Sequence, residues 1–457
     1  MTSRDAGGAR QPLAPVVPGQ DGVARRLRVL VIAEAANPEW VSVPLVGWSI
    51  ATALRAHHDV FIVTQIRNRD AFVRAGLIEG TDFAAIDSEV VARPVYKLAE
   101  ILRMGSGKGW TMVTALSSAL AYPYFERKLW QEFGDRIKGG AFDIVHRVTP
   151  LTPTATSSIA ARCALAGVPF VMGPLNGGVP WPKGFDTERR REREWLSYLR
   201  GVYRLSWARA RMFRATSAVI AGSRHTAREI PAAHQAKVTL IPENGIDPAR
   251  FNAVSRQDIT GSIRGCFVGR LVPYKGCDML IEAADTHLRS GRLTLDILGD
   301  GPMLPVLQAM IAERGLGAAV RLHGWVDHRE VQKILSQANL LTFPSIREFG
   351  GGVVLEAMAL GVVPVICDYA GPGELVDDAV GYKIAMGNRA QIIARLHDCL
   401  GTILAAPDAL PPRSAAARAR VASFFTWDQK ARQISAIYDW VLNPVGPIPQ
   451  PVPLSGG

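Results

Sequence analysis

An α/β chain with two doubly wound parallel sheets, in two domains facing across a cleft, is predicted by three features of the sequence. Short apolar, β-branched runs alternate with longer helical patterns, in two successive series. The runs are apolar throughout rather than at alternate positions, as strands are when helices cover both faces of a parallel sheet. A segment bearing Pro and Gly, "KVTLIPENGIDPARF" (237–251), separates the two series. A chain of 457 residues is also too long for one small core, which makes two or three domains the prior.

The elements follow in order. Residues 1–26 are rich in Gly, Pro, Ala and Arg but lack the apolar core of a signal peptide, so they read as a disordered leader. The first series has strand candidates at 27–35, 59–64, 143–148, 169–174 and 217–223. The second has them at 264–269, 293–299, 320–325, 340–345 and 363–368. Helical patterns at 277–290, 302–315 and 328–337 lie between them, the last opened by Asp327 and Glu330 at capping-box spacing. The domains are therefore predicted at 27–250 and 251–424, followed by a helix at 425–443. The tail, 444–457, carries five prolines and is predicted to lack fixed structure.

Composition excludes several classes. Hydrophobic residues make up 48% and charged residues 20%, as in globular proteins. No run of eighteen apolar residues predicts a transmembrane helix. The five cysteines form no CxxC pair, which suits buried thiols in a reducing compartment and points to the cytoplasm. Residues 251–457 sum to zero charge, so the whole +11 lies in residues 1–250, and the halves are expected to meet different partners. No nucleic-acid-binding module accompanies that charge, and no nucleic-acid partner is expected. No Asp-x-Asp occurs, so no metal is expected through that motif.

Ligands of doubly wound sheets bind beyond the carboxyl ends of the strands, so the residues there are the candidates. In "FVGRLVPYKGCDML" (267–280), Arg270 and Lys275 follow a strand, with Gly269 and Gly276 allowing tight turns. Two cations there suit a diphosphate, the alternative being an ordinary exposed loop. In "REFGGGVVLEAMALG" (347–361), Glu348 precedes a glycine turn and Glu356 lies one helical turn beyond it. The glycine amides at that helix start form an anion site, while two carboxylates can accept hydrogen bonds from sugar hydroxyls. Taken singly, one glutamate caps a helix and the other is solvated. Taken with Arg270 and Lys275, they fit a diphosphate between two sugars, a nucleotide sugar.

These residues resemble the retaining glycosyltransferases of the GT-B fold, the family 4 group. The resemblance rests on "GRLVPYKGCDMLIEA", "LGDGP", "HGWV", the Glu348/Glu356 spacing, "IPENGIDPARF" and "FTWDQKARQISAIYDWV". It covers about 27–441, more strongly in the second half. It implies a metal-independent transfer of a hexosyl unit, with retention, from a nucleotide sugar to a glycan, lipid-linked or small-molecule acceptor, as in polysaccharide biosynthesis. No cofactor is implied. Arg270 and Lys275 would hold the diphosphate, Glu348 the transferred sugar and Glu356 the ribose. Gly269 and Gly350, with the amides of Gly351, Gly352 and Val353, would border the donor, and Trp325 and Val326 would flank the base. His146 would face the donor sugar as a catalytic residue, and the final helix would cross back to the first domain. The chain departs from the family in reading Glu348-Phe349-Gly350-Gly351 where many relatives have Glu-Gly-Phe-Gly. It also reads His146-Arg147-Val148 where many have two histidines. A nucleotide-sugar epimerase or hydrolase of similar shape is the alternative. A nicotinamide oxidoreductase is not, because the first strand runs into "AANPEWVSVPLVGW" without G-x-G-x-x-G.

The first half is expected to choose the acceptor. "GPLNGGVPWPKGF" (173–185) is placed to line the cleft. In the helical pattern that follows, Arg193, Arg200, Arg204 and Arg211 align on one face. That stripe is either a solvated face or a surface for anionic lipid or a lipid diphosphate. The second option would put the protein at the inner face of the cell membrane.

Overall fold

The computed structural model describes residues 25–94, 121–177, 179–182, 184–185, 206–255, 257, 259 and 261–454. The predicted leader up to residue 24, and Arg193, Arg200 and Arg204, lie outside the described residues. Of the leader's last residues, Arg26 is already anchored: its guanidinium donates to Asp59 Oδ1 (2.9 Å) and to the His58 carbonyl (2.8 Å).

Two parallel sheets make up the molecule. The first holds β1 (Arg28–Ala33), β2 (Asp59–Gln65), β3 (Phe83–Ile86), β4 (Ile144–Thr149), β5 (Phe170–Leu175), β6 (Ala218–Ala221) and β7 (Val238–Leu240), in the order β3-β2-β1-β4-β5-β6-β7. The second holds β8 (Ile263–Val268), β9 (Leu293–Leu298), β10 (Val320–Gly324), β11 (Leu340–Phe343), β12 (Val363–Cys367) and β13 (Tyr382–Ile384), in the order β10-β9-β8-β11-β12-β13. All ten predicted strands form. β3, β7 and β13 were not foreseen, and each is an edge strand of three or four residues. Such strands are too short to give an apolar run. β7 falls inside the segment predicted as the connection between domains.

β1 shows why the runs are apolar throughout. Val29, Val31 and Ala33 join one hydrophobic cluster, while Leu30 and Ile32 join another on the opposite face. Helices cover both sides, so neither face of the pleat can be polar.

The chain crosses between domains twice, and the two crossings are stitched together. The Ile246 amide donates to the Phe425 carbonyl (2.8 Å), and the Trp427 amide returns a bond to Ile246 (3.2 Å). The helix Trp427–Leu442, capped by Thr426 through the Gln429 amide, then lies on the first domain. There Asp428 meets His57 Nε2 at 2.9 Å, and Ser435 meets His58 Nε2 at 2.7 Å. Among the described residues, no helix is long and apolar enough to cross a membrane.

Two expectations need correction. The proline tail does have a place: it runs along the free edge of β7. The Gln450 side chain donates to the Val238 carbonyl (2.9 Å) and accepts from the Leu240 amide (3.2 Å), as a pairing strand would. Thr239 Oγ1 donates to the Pro449 carbonyl at 2.6 Å, and Ile448 and Val452 are buried. Proline lacks an amide donor, so a side chain supplies the edge bonds. The second correction concerns the capping box. Asp327 accepts from the Arg329 amide (2.9 Å), and Glu330 pairs with Lys333 instead of returning to the cap.

Candidate active site

The strand order of the second sheet places its reversal between β8 and β11, and the crevice at such a point is where doubly wound sheets take ligands. The loops after β8 and β9 meet backbone to backbone. A Cβ at Gly299 would overlap the Gly269 carbonyl, which is why that contact needs glycine. Beyond them, Gly269, Arg270, Gly299, Asp300, Trp325 and Val326 line a cavity of about 440 Å³. Arg270 is exposed, and Trp325 is 77% exposed at the rim.

Lys275 closes the turn Pro273–Lys275 that leads into the helix Cys277–Arg289. Its ammonium is bonded to the Glu348 carboxylate, which follows β11. The ammonium also lies 4.9 Å from the centre of the Phe343 ring. The glycine turn then starts the helix Gly352–Leu360, with Gly351 left-handed at φ 62° as its cap. The first amides of that helix, at Gly352 and Val353, have no intrahelical acceptor. Glu356 is half-buried in the same helix. The structure thus brings Gly269, Arg270, Trp325 and Val326 round one cavity. It places Lys275, Glu348, Gly350, Gly351, Gly352, Val353 and Glu356 beyond the carboxyl ends of β8 and β11. Chemically, this is a cation pair and a helix start able to face a diphosphate, with carboxylates able to accept hydroxyl protons in hydrogen bonds.

His146 is not part of it, which corrects the expectation that it faces the donor sugar. It is fully buried in β4 and both ring nitrogens are engaged. Nε2 donates to the Gly173 carbonyl (2.7 Å), which leaves Nδ1 to accept from the Tyr438 hydroxyl (2.6 Å). Burial pushes its pKa down to about 4. The pleat turns His146 toward the helix Trp427–Leu442 instead of the cleft. The neighbouring Arg147 points the other way and is also fully buried, donating to the Ala155 carbonyl at 2.8 Å.

The loop after β5 reaches the second domain beside Lys275. Trp181 meets Tyr274 edge to face at 5.9 Å, and the Arg347 guanidinium lies 5.0 Å from the Trp181 ring centre. Tyr369 donates its hydroxyl to the Pro180 carbonyl at 2.8 Å. The sequence placed the loop at the cleft, but neither Trp181 nor Arg347 was singled out. Arg211 is exposed on the helix Trp207–Ala215, next to Trp207 at 84% exposure. Among the described residues, no group of three or more His, Cys, Asp or Glu side chains is placed to hold a metal ion.

The class follows from fold and family comparison. The structure superposes on solved GT-B glycosyltransferases. One is a glycosyltransferase from Rickettsia africae, with TM-score 0.59 and 14% identity, covering 92% of this chain and 100% of that one. Another is HepE from Anabaena in complex with UDP, with TM-score 0.60 and 17% identity, covering 90% and 98%. The fold is the GT-B fold. More particularly, residues 257–401 match the family model "Glycosyl transferases group 1", the half in which the sequence resemblance was strongest. A glycogen synthase of Mycobacterium tuberculosis is 32% identical over 204 residues, covering 44% of this chain and 48% of that protein. A D-inositol 3-phosphate glycosyltransferase of Streptomyces griseus is 32% identical over 188 residues, covering 39% of each. The chain spans about half the length, or less, of these curated relatives.

Proposed function

We propose that the protein is a glycosyltransferase that moves a hexosyl unit from a nucleotide sugar to an acceptor hydroxyl, with retention at the anomeric carbon and without a metal. The observation that carries this reading is the β8–β11 crevice, where Arg270 and its cavity adjoin the Lys275–Glu348 pair and the glycine turn. When the anomeric carbon–oxygen bond breaks, the diphosphate gains negative charge. Fixed cations and a helix start aimed at it lower the barrier by electrostatic preorganisation. In this reading Arg270 and Lys275 take the part a divalent ion plays elsewhere. Glu348 accepts from the transferred sugar and Glu356 from the ribose, while Trp325 and Val326 border the base. The acceptor hydroxyl attacks from the face the diphosphate leaves. The acceptor is a glycan, a lipid-linked sugar or a small molecule approaching from the first domain, and an anionic membrane is a further partner through Arg211 and its stripe.

The test is a panel of UDP-, GDP- and ADP-sugars offered to purified protein, with nucleotide release followed with and without EDTA. Slow donor hydrolysis that persists in EDTA is expected. Isomerised sugar nucleotide as product would favour the epimerase alternative, and strict metal dependence would remove the proposed role of the cations.

A further inference from the structure

Glu243 stands on the inter-domain connection, three residues before the stitched crossing at Ile246, and is only 5% exposed. Its carboxylate lies between the domains. From the first domain, Asn176 at the end of β5 donates Nδ2–H to Glu243 Oε1 at 2.6 Å. Asn176 is itself held, since its Oδ1 accepts from the Gly177 amide at 2.8 Å. Among the described residues Glu243 Oε2 has no hydrogen-bond partner, and it packs on the end of β6, where a Cβ at Gly222 would come within 2.6 Å of it. From the second domain comes Gly350. A Cβ there would overlap both Glu243 Oε1 and the Asn244 carboxamide.

This contact requires a residue without a side chain at position 350. In Glu348-Phe349-Gly350-Gly351 the aromatic side chain precedes the glycines, and the Arg347 guanidinium lies 5.2 Å from the Phe349 ring centre. Gly350 is bare, and the Glu243 carboxylate occupies the space beside it. The group that fills the turn thus comes from the connection between domains and is tied by Asn176 to the first domain.

We infer that Glu243 is a positioning residue: resting on the reading of the crevice as the donor site, it sets the glycine turn, and with it Glu348 and the Gly352 amide, relative to the first domain. Four groups face this carboxylate besides Gly222 and Gly350: Asn176, Asn244, whose Nδ2 donates to Oε1 at 3.4 Å, Glu348 and Lys430. Burial and Glu348 push Glu243 above the ordinary carboxylate range, while Asn176 and Lys430 pull it back. A glutamine keeps the shape of the side chain and a carbonyl oxygen for Asn176 to donate to.

The test is a double-mutant cycle on the full chain with Glu243→Ala and Gly350→Ala, plus Glu243→Gln. Binding of UDP, GDP and ADP is measured by calorimetry, and amide exchange is followed for a peptide spanning 346–356. Either alanine variant is expected to weaken binding of the nucleotide the wild type takes by about tenfold, because Asn176 loses its acceptor or the carboxylate is displaced. Exchange of the turn amides should rise in both. In the double variant the effect of Gly350→Ala should shrink, the remainder coming from the Asn244 carboxamide, and Gln at 243 should restore most of what Ala loses. Effects that multiply in the double variant, or exchange unchanged in the singles, would overturn the inference. If the wild type binds none of UDP, GDP and ADP, the donor-site reading fails while the exchange cycle still decides whether Glu243 holds the turn.

Discussion

The Lys275 ammonium and the Glu348 carboxylate are bonded to each other, although 73 residues separate them in the chain. The sequence assigned one to phosphate and the other to a sugar hydroxyl. The structure makes them partners in one ion pair with 16% and 20% of their side chains exposed. A diphosphate reaching Lys275 must therefore compete with Glu348.

That competition gives the first prediction. Glu348→Gln removes the competing charge, so UDP or GDP should bind the variant up to about fivefold more tightly, the range of a partly exposed ion pair. Turnover should fall, because the hydrogen bond proposed from the transferred sugar to Glu348 would weaken. Calorimetry and initial rates on the same preparation check this, and weaker nucleotide binding in the variant would argue against the competition.

Removing the cations should also lower turnover. Arg270→Ala and Lys275→Ala are each expected to lower kcat by about 10², the loss typical of one preorganised charge-stabilising group. Near-normal turnover in both variants would dismiss the assignment.

Glu356 sits in the helix beyond the turn and is assigned to the ribose. Glu356→Ala should weaken binding of the free nucleotide as well as of the intact donor. A variant that loses turnover while keeping nucleotide affinity would move Glu356 to the sugar side.

His146 makes a pH prediction. Its folded pKa is about 4, below the ordinary imidazole value of 6.5, so the unfolded chain binds more protons between those values. Stability from the neutral, buried ring is complete above about 6.5 and is lost as pH falls toward 4, up to about 3 kcal/mol. Thermal melting between pH 7 and 4 should show this slope, and His146→Gln should flatten it. An unchanged slope would mean that other groups dominate, His58 first among them, since burial also lowers its pKa to about 4.

The basic stripe gives the last prediction. The protein should co-sediment with anionic but not neutral vesicles, and high salt should release it. Glu at Arg193, Arg200, Arg204 and Arg211 should abolish the binding while donor hydrolysis continues. Indifference to anionic vesicles at low salt would leave Arg211 as part of a solvated face.

The sequence alone determined what is local. Central strands buried on both faces read as apolar runs, so all ten predicted strands are present. Arg270, Lys275, Glu348 and Glu356 could be read because each follows a strand end or a glycine turn at short spacing, which puts it at the ligand edge of a parallel sheet. What the tertiary structure alone decided depends on residues far apart in the chain. β7 and β13 are too short to signal themselves and exist by pairing with β6 and β12. His146 looked like a cleft residue because strand alternation gives two faces without naming what covers them; the covering group is Tyr438, 292 residues later. The proline tail looked unstructured because proline cannot pair as a strand, yet one glutamine side chain supplies the two edge bonds. Glu243 read as part of a connection, and only the folded chain sets its carboxylate against Gly350. Local pattern specifies which backbone forms, whereas the partner of a buried polar group is chosen by whichever distant segment the fold brings within hydrogen-bond reach.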